Sequence, residues 1–319
     1  MNSNTEGTVD LIIPVYNEED IIKKIHMRIC AVIDALPYRF TLYYVDDGSS
    51  DRTVEILKGI KDPRITLIEL SRNFGHQAAL VAGIDASDAE IVISMDGDGQ
   101  HPPEMLPQMI DLVTQGYDIV QTQRIDKGQP NSFKKNSSSL FYKLINIMSG
   151  TQILPGAADF RALSKQAVQA LRSMPEYHRF LRGMVAWIGY SSIILPYEPE
   201  ERSGGVSKYS LRKMVSLATD AVFSFSLVPL YIGLSFGGLL LLLAIAELTY
   251  VLSFWVTGQT SNLAPGWSSL MFIILLVSGM LMILMGFIGV YVGYIFQEVK
   301  RRPVYLVKSD KKSPSKENK

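Results

Sequence analysis

Two short stretches of this sequence crowd acidic side chains against glycines, and a third sets an amide beside a carboxylate. Asp96-Gly97-Asp98-Gly99-Gln100 sets two carboxylates two positions apart. In extended chain, residues i and i+2 point to one side. The pair therefore offers hard oxygen donors suited to Mg²⁺ or Mn²⁺. The flanking glycines leave room for a diphosphate to approach the backbone. Asp46-Asp47-Gly48-Ser49-Ser50-Asp51 places three carboxylates in six residues, more than a turn requires. Gly48 suits the turn, and Ser50 or Asp51 suits a helix N-cap. Asp46 and Asp47 remain, and a carboxylate there can hold a base N–H or a ribose hydroxyl, a role expected of Asp47. In Pro14-Val15-Tyr16-Asn17-Glu18, Asn17 can cap a following helix and Glu18 can favour its positive end. Asp-Gly can equally be a surface turn, but the three segments taken together favour chemistry.

Each segment follows a strand pattern. VDLIIPV, FTLYYV, ITLIEL, EIVISM and YDIVQTQ are rich in Ile, Val and Tyr and read as strands. EDIIKKIHMRICAVIDAL, TVEILKGI and HQAALVAGIDAS have helical spacing. Alternating strands and helices predict a mostly parallel sheet covered on both faces, with ligands bound beyond the carboxyl ends of the strands. There is no G-x-G-x-x-G after a strand and no G-x-x-x-x-G-K-[ST], which weakens dinucleotide-oxidoreductase and P-loop readings. His26, His76, His101 and His178 show no zinc spacing, and His101, followed by two prolines, reads as a loop histidine.

Composition limits the rest. In 319 residues, 31 Lys and Arg balance 31 Asp and Glu, which argues against a nucleic-acid partner. The single cysteine, Cys30, excludes a disulfide framework and a cysteine-rich metal site. Charged residues make up 19%, below the roughly 25% of soluble domains. The apolar excess sits in two runs, Leu227 to Val256 with Glu247 as its one charge, and Trp267 to Phe296 with none. Both exceed the about 20 residues that cross a bilayer. Arg212 and Lys213 precede the first run, Lys300, Arg301 and Arg302 follow the second, and the loop TGQTSNLAPG is uncharged. The positive-inside rule then predicts a hairpin with both termini cytoplasmic. Tyr250, Trp255 and Trp267 suit an outer aromatic belt, and VDLIIPV is too short for a signal peptide. Two segments, SFKKNSSSLFYKLINIMSG and LRKMVSLATDAVFSFSL, read as amphipathic helices for an anionic membrane surface. The expected organisation is a soluble domain over 1–210, an interface helix over 211–229, spans at about 230–256 and 267–296 within 230–298, and a cytoplasmic tail over 299–319, disordered from Ser309.

The acidic motifs, together with Ser71-Arg72-Asn73-Phe74-Gly75, Asp159-Phe160-Arg161 and Gly205-Val206-Ser207-Lys208-Tyr209, resemble the family 2 glycosyltransferases with a GT-A fold. With two C-terminal spans, the chain is similar to the polyisoprenyl-phosphate glycosyltransferases, the group of dolichol-phosphate mannose synthase and the bactoprenol glucosyltransferases, over about residues 8 to 308. The family often has Ala between the two aspartates and Leu after them, where this chain has Gly97 and Gly99.

The resemblance implies transfer of one sugar, with inversion and usually from UDP-glucose, to a polyprenyl phosphate such as undecaprenyl phosphate. The setting is the inner face of the plasma membrane, in cell-envelope glycan modification. It implies Asp98 as a direct ligand of Mg²⁺ or Mn²⁺, Asp96 helping through the sugar or a water, and Gln100 completing the site. Pro14, Tyr16, Glu18 and Asp47 would line the nucleoside pocket. Asp159 matches the position of a catalytic base, although a phosphate monoester with a second pKa near 6 needs little deprotonation; it is expected to position the acceptor or take its residual proton, with a helix N-cap for Phe160 onward as the plain alternative. Arg124, Lys134, Arg161, Arg202 and Lys208 are candidate cations for the acceptor headgroup, and Arg202, Ser207 and Lys208 belong by resemblance to a loop closing over the phosphates. Glu247 within a span points to a helix contact in a homo-oligomer. A processive polysaccharide synthase would carry Q-x-x-R-W and more spans, and a non-catalytic flippase or scaffold would not need the acidic strand ends.

Overall fold

The computed structural model describes residues 7–125, 157–174, 176–177, 179–198, 228–258 and 266–311. They fall into two compact units, one of residues 7–198 with 302–311, the other of residues 228–301. Lys134, Arg202, Ser207 and Lys208 lie outside the described residues, as do both amphipathic segments.

The first unit holds an eight-stranded sheet. Its strands are β1 (Thr8–Val15), β2 (Arg39–Asp46), β3 (Ile65–Leu70), β4 (Ile91–Ser94), β5 (Ile119–Arg124), β6 (Ala157–Ser164), β7 (Ser192–Tyr197) and β8 (Val307–Lys311). They lie in the order β7-β5-β6-β4-β1-β2-β3-β8. The pairs β4/β1, β1/β2, β2/β3 and β5/β7 are parallel. The pairs β4/β6, β5/β6 and β3/β8 are antiparallel. The predicted parallel sheet is thus the central part of a mixed one.

β1 is central, buried on both faces and largely apolar, with the buried Asp10 held by Ser87. Its odd residues Val9, Leu11, Ile13 and Val15 share a core with α1 (Ile22–Ile33), α2 (Thr53–Gly59) and α4 (Leu106–Thr114). α1 turns Ile22, Ile25, His26, Ile29 and Ile33 inward, one helical stripe. The opposite face is covered by α3 (His76–Ala86), whose Ala78 to Ile84 are all buried and whose small residues lie on Ile12 and Val45. The unit also contains α5 (Lys165–Arg172), capped by Ser164, whose side chain accepts from Ala167 N, and α6 (Leu181–Trp187).

The sequence of strands runs outward from β1 through β2 to β3, then returns to the other side of β1 with β4. The crevice beyond β1 and β4 is therefore the topological switch point, where such sheets bind ligands.

The second unit contains α7 (Val228–Val256) and α8 (Trp267–Val299), of 29 and 33 residues. Among the described residues one stretch, Leu276–Val299, is long and apolar enough to cross a bilayer, with mean hydropathy 2.1 and no buried part; the sequence predicted two. After α8 the chain does not become a disordered tail at Ser309. Val307–Lys311 forms β8 and pairs with β3 in the first unit. Polar VKSDK gives no apolar signal because backbone hydrogen bonds to an edge hold it. Ser71 N donates to Leu306 O at 2.8 Å, and Tyr305 Oη donates to Asp85 Oδ2 at 3.2 Å.

Candidate active site

The loops after β1 and β2 lock each other. Asn17, with φ of 54°, does not cap α1; its N–H donates to Ser49 Oγ at 3.0 Å and its Oδ1 accepts from Ser50 N at 2.8 Å. Glu18 N donates to Thr53 Oγ1 and Glu19 N to Asp51 Oδ2. Asp51 Oδ1 accepts from Thr53 N at 3.0 Å, at the start of α2, as a capping residue would. Asp46 closes its own turn by accepting from Ser49 N. Pro14 is buried at the end of β1, Tyr16 is exposed and Glu18 half-buried.

Asp47, expected at the nucleoside, is buried, and its two oxygens accept from Phe74 N at 2.7 Å and Gly75 N at 3.0 Å. Burial pushes its pKa up, against those two bonds. Its carboxylate holds the 73–75 loop that leads into α3. Gly48 permits this approach: its φ is 74°, and a Cβ there would stand 2.7 Å from Arg72 C and Asn73 N.

The Asp96–Gln100 loop leaves β4 at the switch point. Asp96 N donates to His101 Nδ1 at 3.0 Å. His101 lies in a loop, as expected, but it is packed in place. It is buried, stacks on Phe160 at 5.0 Å between centroids and meets Tyr197 edge-on at 5.7 Å. The acidic loop thus rests on an aromatic base from β6 and β7. Asp98 Oδ1 accepts from Gln100 N at 3.1 Å, and Gln100 Oε1 accepts from Arg124 Nη1 at 3.4 Å. Gly97 sits where a Cβ would lie 2.9 Å from Pro14 O and 2.9 Å from Val15 Cγ1; this is the physical reason for glycine between the aspartates.

Asp159 lies in strand β6, so it caps no helix. It is 5% exposed and ringed by donors. Arg161 Nη2 reaches Oδ1 at 2.7 Å, and Arg182 reaches Oδ1 through Nε at 3.1 Å and Oδ2 through Nη2 at 3.0 Å. Gln77 Nε2 donates to Oδ2 at 3.3 Å, while Gln77 Oε1 accepts from Leu181 N at 3.3 Å. His76 Nε2 stands 3.2 Å from Asp96 Oδ1 and 3.6 Å from Asp159 Oδ2, linking the two acidic centres. Burial favours the neutral acid at Asp159, but Arg182, His76 and Arg161 hold it well below the usual carboxylate range. Desolvation opposes charge on His76, yet Asp96 and Asp159 raise it well above an ordinary imidazole. Asp96, pushed up by burial, is held below its ordinary value by His76 and His101.

Arg161 departs from the expectation of a headgroup cation. It is 3% exposed, and its guanidinium is turned to Asp159, Ala158 O and Leu181 O. Strand pairing explains this, since Arg161 lies opposite Ser94 in the sheet. Arg124 is exposed at the end of β5. His76, Gln77, His101 and Arg182 were not singled out as site residues in the sequence. The available signal was position: His76 and Gln77 open a helix just after a strand end, and His101 follows the acidic pair at once.

The donor set fits a divalent ion. Asp96 Oδ1 is shielded from solvent and, among the described residues, faces only the His76 imidazole at 3.2 Å. A carboxylate oxygen with a lone pair to spare, in a loop that carries a second aspartate two residues on, is what a hard cation completes.

The family model described as glycosyl transferase family 2 matches residues 10–172. The chain is 36% identical over 299 residues to the uncharacterized glycosyltransferase YkcC of Bacillus subtilis (strain 168), covering 93% of this chain and 92% of the relative. It is 37% identical over 307 residues to the putative glycosyltransferase CsbB of the same organism, covering 95% and 92%. It is 32% identical over 308 residues to the bactoprenol glucosyl transferase of Shigella phage SfV, covering 95% and 99%. The acidic loops at the switch point and these full-length likenesses lead to one assignment: the chain belongs to glycosyl transferase family 2 and is a glycosyltransferase with a GT-A-like, mostly parallel α/β domain.

Proposed function

We propose that this enzyme transfers a single sugar, with inversion, from a nucleotide-diphosphate sugar to a polyprenyl phosphate, with UDP-glucose and undecaprenyl phosphate as the substrates. The observation that carries the reading is likeness along nearly the whole chain, long apolar helices included, to a bactoprenol glucosyl transferase. In this reading α7 and α8 both cross the plasma membrane as a hairpin, at about 43 and 50 Å of helix, with the sheet on the cytoplasmic side. The product serves cell-envelope glycan modification, and the protein works as a homo-oligomer.

Asp98 and Asp96, with Gln100, would hold Mg²⁺ or Mn²⁺, which when bound offsets the charge of the departing nucleoside diphosphate. Pro14, Tyr16 and Glu18 line the nucleoside side, and Asp47 contributes by shaping the loop before α3. Arg124, Lys134, Arg202, Ser207 and Lys208 serve the phosphates. Asp159 acts by position. Three cationic partners make it a weak base, and the acceptor phosphate is largely dianionic at neutral pH. Its task is to aim Arg182 at the reacting phosphates, with the buried Arg161 bracing the carboxylate from the side.

The test is purified protein in lipid with undecaprenyl phosphate and a panel of radiolabelled nucleotide sugars. Labelled lipid from UDP-glucose alone supports the full reading. Labelled lipid from another donor replaces the sugar, and growth of a polymer without lipid product rejects the class.

A further inference from the structure

The first unit carries a second cluster of ligand-type side chains that the transferase reaction does not use. His26 and Cys30 lie one turn apart on α1, and Asp62 lies in the loop before β3, at the edge where the strands begin. His26 Nε2 is 3.5 Å from Cys30 Sγ, Cys30 Sγ is 3.5 Å from Asp62 Oδ2, and His26 Nε2 is 3.5 Å from Asp62 Oδ2. A tetrahedral Zn²⁺, with bonds of about 2.0 Å to N and O and about 2.3 Å to S, spaces its ligand atoms about 3.3–3.5 Å apart. The three atoms already form one face of that tetrahedron.

We propose that His26, Cys30 and Asp62 form a binding site for a borderline transition-metal ion of the Zn²⁺ type, with its fourth position open to water. The mixed N, S and O donors suit such an ion and not the oxygen-seeking Mg²⁺ or Mn²⁺. Support around the ligands is in place. The buried Tyr44 hydroxyl is 3.1 Å from His26 Nδ1, which fixes the ring and turns Nε2 to the other two ligands. Burial lowers His26 below its ordinary pKa but pushes the Cys30 thiol up to about 11, so an entering ion must displace that proton. Binding exchanges the Cys30 thiol proton for the ion and releases that proton to solvent.

Arg64 is the competitor. Its Nη2 lies 2.8 Å from Asp62 Oδ2 and 3.4 Å from Cys30 Sγ, while Nη1 lies 2.6 Å from Asp34 Oδ1. The guanidinium is the cation now against this triangle. An entering ion displaces it towards Asp34, which is exposed. The ion would join α1 to the 60–64 loop.

Co²⁺ reports the site, because Cys30 is the one cysteine of the chain and a thiolate-to-cobalt absorption band can arise from nothing else. Full-length protein in detergent, stripped by chelator, is titrated with Co²⁺, and Zn²⁺ is then added to displace it. One equivalent should give the band, and Cys30→Ser should abolish it. His26→Gln and Asp62→Asn should weaken Co²⁺ binding at least about tenfold, with circular dichroism confirming the fold. Arg64→Met should tighten it. A wild-type protein without the band, a band of equal affinity in His26→Gln and Asp62→Asn, or weaker binding in Arg64→Met would overturn the proposal.

Discussion

Arg182 meets Asp159 edge-on, Nε on one carboxylate oxygen at 3.1 Å and Nη2 on the other at 3.0 Å, while Arg161 takes Oδ1 from the side at 2.7 Å. A carboxylate gripped in this way is an anchor for cations before it is a proton acceptor.

Replacing Asp159 by Ala therefore leaves two neighbouring guanidinium groups without their counter-charge. Removing one partner of a buried ion pair costs about 3–5 kcal/mol. Asp159→Ala should lower the thermal midpoint strongly, and Asp159→Ala with Arg182→Met should recover part of it. Equal midpoints for single and double variants would refute the coupling.

The pH dependence follows with a definite sign. The Asp159 pKa is depressed on folding, so its stabilisation is complete above the unfolded value of about 3.9 and is lost only as pH falls further. Between pH 5 and 8 it stays ionised. Any acid limb of kcat in that range should follow the second ionisation of the acceptor phosphate, near 6. An acceptor of different phosphate pKa should move the limb; a limb that stays put while Asp159→Asn abolishes it would point to a base role.

Asp98→Ala should reduce transfer at least about a hundredfold while leaving membrane insertion unchanged. Chelation of divalent ions should do the same to the wild type, with Mg²⁺ or Mn²⁺ restoring it. Full activity of the variant in chelator would remove the ion from the reading.

Gly97→Ala puts a methyl group 2.9 Å from Pro14 O, a buried backbone atom with little room to yield. Overpacking of this kind costs about 1–3 kcal/mol. The variant should show a lower thermal midpoint together with weaker metal dependence, read as a higher Mn²⁺ concentration for half activity. Unchanged values of both would contradict the close approach of the two loops.

Much of the central sheet was legible. β1 and β4 announce themselves because strands buried on both faces are largely apolar, β2 because Phe40, Leu42 and Tyr44 alternate inward, and α1 because its five inward residues keep helical spacing. The acidic loops follow at strand ends, where topology puts ligands. β6 was less visible: AADFRALS places an aspartate and an arginine inside the sheet, tolerable because they pair with each other and with Arg182, Gln77 and nearby carbonyls. β8 carries no apolar pattern at all. His101 lies in a loop as read, but its packing was hidden since its partners Phe160 and Tyr197 lie far along the chain. Contacts of that range leave no local periodicity to read.

The return of residues 307–311 to β3 bears on how the enzyme can be handled in the laboratory. A fragment ending before α7 would strip β3 of its neighbour and expose a row of unpaired amides and carbonyls, an invitation to self-association. Solubilising the catalytic half by deletion is better attempted by joining residue 198 or a later position to residue 302 through a flexible linker, so that the last strand stays in place.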